Sequence, residues 1–140
     1  MQRLKSLPVF PQKVGIFAED RGDLQFEVNK ALRQAGGLAI IMYTGNARNT
    51  SPNTPIPFCD IEIIVEIGEL VATNRSSTGT KIPAVEAARI CVRALHGWAW
   101  TTGRSLVFQE QQYNRDQKGS VVQYFLSFRT KISMDAEIGV

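Results

Sequence analysis

Between Asp60 and Ile67 the chain reads DIEIIVEI, in which Ile61, Ile63, Val65 and Ile67 alternate with Asp60, Glu62, Ile64 and Glu66. Successive side chains of a strand point to opposite faces, so this period of two specifies a β-strand with one aliphatic and one mostly acidic face. A lone strand cannot bury its aliphatic side, so the rest of the chain must supply its partners. Only the aliphatic face is expected to be core; Asp60, Glu62 and Glu66 assign the other to solvent or to an interface.

The flanking sequence supplies the partners. LAIIMYTG, from Leu38, is a short apolar run bounded by glycines and reads as a buried strand paired in a hairpin with DIEIIVEI. Prolines at 52, 55 and 57 cannot join a ladder, which predicts an exposed, mobile loop over residues 44–57. Upstream, after an irregular lead with Pro8 and Pro11, Leu24, Val28, Ala31, Leu32 and Ala35 recur at helical spacing. Asp20 or Asp23 is available to cap that helix, and Gly36 with Gly37 suits a left-handed ending. Downstream, a polar loop over 68–81 leads to a second helix with Pro83 in its first turn and Gly97 as its stop. Its stripe of Val85, Ala88, Val92 and Leu95 is expected to be buried, opposite Glu86, Arg89, Arg93 and His96. Trp98 and Trp100 are placed to cover an edge of the core.

SLVFQEQQY, the turn NRDQKG and SVVQYFLSFRTKI make a further strand pair, with Val122, Tyr124, Leu126, Phe128 and Ile132 on one face. Residues 133–140 read as a flexible tail. The order helix, strand, strand, helix, strand, strand predicts a single α+β domain over 1–140, a mostly antiparallel sheet of about four strands with two helices packed on one face.

Composition narrows the function classes. With 44% hydrophobic and 21% charged residues the chain has an ordinary globular balance. No apolar run is long enough to span a bilayer, and MQRLKSLPVF lacks the core of a secretory signal, so a soluble chain that stays in the cytosol, away from membranes, is expected. Sixteen basic against 13 acidic residues give +3, too mild and dispersed for a nucleic-acid binder. Arg129 and Lys131 share one strand face and read as solvated. One histidine and two cysteines without close spacing cannot assemble an ordinary zinc site, so no metal is expected. Cys59 and Cys91 are expected to be buried and reduced, and His96 reads as a helix-end residue favourable to the dipole.

Asn74 to Lys81, NRSSTGTK, invites comparison with a phosphate-binding loop. That chemistry needs a lysine directly after the second glycine, so that backbone N–H groups curl around phosphates at a helix mouth. Here Thr80 intervenes between Gly79 and Lys81, and Asn74 stands where the first glycine belongs. No nucleotide cofactor is expected. Asp60, Glu62 and Glu66 are spaced for paired acid and base work, but nothing nearby supplies a nucleophile, metal or apolar pocket to split their pKa values. There is no Gly-x-Ser-x-Gly elbow. The residues describe a scaffold with two polar loops and an exposed strand edge, with no catalytic residues, and no enzyme.

The segment order is itself recognisable. A helix ending in GGLAI, the strand DIEIIVEI, the phrase ATNRSSTGT, a helix closing on ALHGW, then LVFQEQ and VVQYFLSFRTKI together resemble the tail terminator, or tail completion, proteins of long-tailed bacteriophages, over residues 14 to 132. The insertion at 44–57 has no counterpart in that pattern. The resemblance implies a hexameric ring that caps the tail tube at the head–tail junction of the virion, ends tail growth and offers a surface to the head connector. The implied partners are further copies of the chain, the tail tube protein and the connector protein, with DNA passing through without sequence-specific binding. Arg75 and Lys81 are the expected charged contacts, with Arg48, Asp60 and Glu62 as further interface residues. Exchanging Arg75 and Lys81 for glutamate is expected to leave the fold nearly unchanged. Two rival readings stand beside this one, another neck or baseplate component and a small nucleotide-binding or hydrolytic enzyme.

Overall fold

The computed structural model describes residues 2–18, 24–101 and 103–133. In chain order the elements are α1 (Gln2–Lys5), β1 (Gly15–Ala18), α2 (Leu24–Gln34), β2 (Leu38–Asn49), β3 (Phe58–Leu70), α3 (Val71–Asn74), α4 (Ala84–Leu95), β4 (Ala99–Thr101), β5 (Arg104–Ser105), β6 (Val107–Arg115) and β7 (Val121–Ser133). The main sheet has five strands in the order β1-β2-β3-β7-β6, while β4 and β5 form a separate ribbon. Asp20, Asp23, the side chains of Leu24 and Val28, and tail residues 134–140 lie outside the described residues.

DIEIIVEI lies in the middle of this sheet. Its strand, β3, pairs antiparallel with β2 in the expected hairpin and with β7 along its whole length, from Phe58↔Ser133 to Leu70↔Val121. The sheet is mixed, with five strands where about four antiparallel ones were expected, because β1 adds in parallel beside β2. Four residues, GIFA, are too few to display a period, so only the neighbouring ladder reveals them as a strand.

The helices do not share one face. Ala84, Ala87, Ala88, Cys91, Ala94 and Leu95 of α4 pack with Leu38, Ile40, Val65, Ile67, Leu126 and Phe128, whereas Ala31, Leu32 and Ala35 near the end of α2 pack with Ala39 and Ile41. Leu38 and Ile40 alternate with Ala39 and Ile41 along β2, so that strand is apolar on both sides and needs a helix over each. The result is three layers. The expected stripe on α4 is also turned, since Val85 is 50% exposed and small residues face the sheet. Leu4 of α1, in the lead read as irregular, is fully buried against the α4 side.

Several local signals hold. After α2, Gly36 and Gly37 both have positive φ, and the Gly37 N–H donates to the Leu32 carbonyl at 3.0 Å, a Schellman-type closure. Gly97 follows α4 with φ 76°. Trp98 and Trp100 pack on the core edge, and Trp100 Nε1 donates to Thr130 Oγ1 at 2.9 Å. Cys59 and Cys91 are buried free thiols. The segment read as loop 44–57 is strand as far as Asn49, past an irregularity between Thr44 and Ala47, and the three prolines fall in the turn that follows. The segment read as loop 68–81 begins as the last residues of β3 and the single turn α3. No helix among the described residues is long and apolar enough to cross a membrane.

Candidate assembly surfaces

The loop after β3 is built around a buried polar knot. Asn74 is fully buried and Glu69 is 1% exposed. Asn74 Nδ2 donates to Glu69 Oε2 at 2.5 Å and to the Ile82 carbonyl at 2.8 Å, while its Oδ1 accepts from the Thr80 hydroxyl. Two glycines let the backbone come this close. A Cβ at Gly37 would stand 2.4 Å from the Asn74 nitrogen, and one at Gly79 would stand 2.0 Å from the Asn74 carbonyl oxygen. The Lys81 N–H donates back to that carbonyl at 2.9 Å, with Lys81 itself at φ 63°. The polar groups around Asn74 thus close on one another as an internal clasp, which is a different arrangement from a phosphate cradle. Sequence reasoning missed Glu69 and Asn74, because nothing in their spacing marks a polar side chain for the interior.

Arg75 belongs to this knot. Its Nη2 lies 3.6 Å from Glu69 Oε1, with 58% of its own side chain exposed. It is the charge partner of a buried carboxylate as well as a surface cation, so an Arg75→Glu exchange would set two like charges together. This contact argues against the expectation that the exchange spares the fold. Lys81 is exposed.

Arg48, Asp60 and Glu62 lie toward the opposite end of β3. Arg48 is the cross-strand partner of Asp60, which on its other side faces Lys131, and Glu62 faces Arg129. These three predicted residues share one side of the sheet, while Arg75 and Lys81 stand beyond its other end. The structure does not bring the two groups together.

The acidic face of β3 is more enclosed than expected. Glu66 is 2% exposed and accepts from Gln123 Nε2 at 3.1 Å, and Gln123 Oε1 in turn accepts from Asn114 Nδ2 at 3.0 Å. Glu62 accepts from the Ser127 hydroxyl at 3.0 Å. Burial, followed by the charges of Glu66 and Glu62, pushes the Tyr43 hydroxyl up to about 12. A cleft of about 280 Å³ opens here, lined by Tyr43, Glu62, Ile64, Glu110, Gln112, Phe125 and Ser127. Its floor is aromatic and aliphatic, and its walls carry two carboxylates.

A second cleft of about 240 Å³ lies on the other side of the sheet, near the start of α4, between Arg75, Val85, Tyr113, Arg115 and Tyr124. The Tyr113 and Tyr124 rings are 5.2 Å apart, and Tyr113 is 55% exposed. Among the described residues no group of three or more His, Cys, Asp or Glu is placed to hold a metal ion.

The fold that carries these surfaces is a three-layer α+β domain, with α2, a mixed sheet and α4 as its layers. No protein-family model matches the chain, and no curated protein matches it. Among solved structures it is similar to a chain of the virion of a native gene transfer agent (GTA) particle. The TM-score is 0.59 at 18% identity, covering 94% of this chain and 90% of that one. At this identity the likeness establishes a common fold.

Proposed function

We propose that this chain is a structural virion protein, a tail terminator subunit that assembles as a hexameric ring on the end of a tail tube, stops its growth and presents a surface for head joining. The observation that carries this reading is the fold shared with a virion chain along nearly the full length of both. The polar character of the two clefts suits repeated, individually modest contacts around a symmetry axis. In this reading Arg48, Asp60, Glu62, Arg75 and Lys81 meet neighbouring subunits, the tube protein or the connector, and DNA passes through the ring without being read. No step requires a catalytic group or cofactor.

The test is tube growth. The purified chain, added to polymerising tube protein from the same particle, is expected to give capped tubes that stop elongating, with ring density at one end by electron microscopy. Tubes that grow to the same length with and without it would remove the terminator role. Ring density at the baseplate end instead would move the chain to another station of the tail.

A further inference from the structure

The two clefts lie on opposite sides of one edge strand. Among the described residues β6 pairs only with β7, and Val107 and all of Gln109–Arg115 are exposed. Glu110 and Gln112 stand opposite Ser127 and Phe125, on the acidic side, whereas Tyr113 and Arg115 stand opposite Tyr124 and Val122, on the α4 side. We propose that a second copy of this chain docks its Tyr113 and Arg115 into the cleft between Tyr43, Glu62, Ile64, Glu110 and Phe125. This rests on the ring reading above and names the contact that would build the ring.

The complementarity is chemical. The receiving cleft offers two carboxylates, Glu62 and Glu110, to a guanidinium, and an Ile64 and Phe125 floor to an aromatic ring. Among the described residues, α2 packs over Ala39 and Ile41 and leaves Ile64 and Phe125 only partly buried. The incoming pair is held ready. Tyr113 leans on Tyr124, and the Arg115 guanidinium rests on the turn, where a Cβ at Gly119 would stand 2.6 Å from its Nη2. Pre-ordered tyrosine and arginine side chains lose little freedom on docking and are the residue types that dominate interface energies.

Donor and receiver are different patches on opposite faces of one sheet, so each copy can give the contact to one neighbour and receive it from another. In the ring reading the contact runs head-to-tail and repeats until the rotation closes.

The experiment is a charge exchange read by analytical ultracentrifugation and electron microscopy at rising concentration. Arg115→Glu and Glu110→Arg are both exposed changes. Each alone is expected to weaken self-association on the order of a hundredfold, since reversing one charge leaves its partner facing a like charge. An equal mixture of the two variants restores assembly. The carboxylate introduced by Arg115→Glu in one copy meets the guanidinium introduced by Glu110→Arg in the next, and native pairs alternate with exchanged ones. A fold defect cannot produce that recovery. Rings from either single variant at wild-type concentration, or a mixture no better than its components, would overturn this surface while leaving the ring intact. A wild type that forms no ring in solution or on tubes would overturn both.

Discussion

Asn74→Ala isolates the polar knot that stands where a phosphate site was sought. The substitution removes the donor to the Glu69 carboxylate, the donor to the Ile82 carbonyl and the acceptor of the Thr80 hydroxyl. A hydrogen bond to a charged group contributes about 1.5 to 3 kcal/mol and a neutral one about 0.5 to 1.5 kcal/mol, so for one of the first kind and two of the second the expected loss is about 2.5 to 6 kcal/mol. Glu69, 1% exposed, would keep Arg75 at 3.6 Å as its charge partner but lose its buried donor, which places the loss toward the upper end. Against a total stability of about 5 to 15 kcal/mol for a domain of this kind, that is a large fraction. Urea melts followed by the fluorescence of Trp98 and Trp100 would measure it, with an unchanged slope confirming that the same structure unfolds. Glu69→Gln supplies the control. Because the two side chains share a bond, the double variant is expected to cost less than the sum of the singles by about 0.5 kcal/mol or more. A loss below about 1 kcal/mol for Asn74→Ala, or strict additivity with Glu69→Gln, would refute the knot as the anchor of this loop.

Two further outcomes test the packing. Leu95→Ala, at a fully buried position, should cost about 2 to 5 kcal/mol and Val85→Ala less than about 0.5 kcal/mol; equal costs in matched melts would put the wrong side of α4 against the sheet. Burial pushes the Cys91 thiol from 9.0 up to about 12, so the folded chain keeps a proton that the unfolded chain releases. The stability this contributes is whole below pH 9 and lost as pH rises toward 12. Thermal melts through that window should show a shallower decline for Cys91→Ala than for wild type, and identical slopes would contradict the assignment.

How far the sequence could be read depended on whether a residue's environment was set by its neighbours along the chain. The alternation of Ile61, Val65 and Ile67 named a strand, and Gly36, Gly37 and Gly97 marked helix ends, because period and φ are local properties. The rotation of α4 was not legible. Val85 looks more hydrophobic than Ala84 or Ala87, but close approach to the sheet selects small side chains, a demand that comes from the opposing layer. The acidic residues misled for the same reason. Glu66 reads as solvent-facing, but it is buried and accepts a hydrogen bond from Gln123, more than fifty residues away in sequence. Arg48 reads as part of a loop, so its pairing with Asp60 across β2 and β3 was not legible, and the tie between Arg75 and Glu69 depends on how the chain turns at α3.

The strand order β1-β2-β3-β7-β6 also bears on how the chain is made. β7, the last strand among the described residues, belongs between β3 and β6. A ribosome delivers the β2–β3 hairpin long before the strand that completes its ladder, and the free edge of β3 meets its other neighbour only after β7 has emerged. Until then the growing polypeptide carries an open edge that a nascent chain on a neighbouring ribosome could occupy. Crowded translation of one transcript is where such mispairing would be most costly, and slow passage through the codons for residues 71 to 120 would lengthen the exposure.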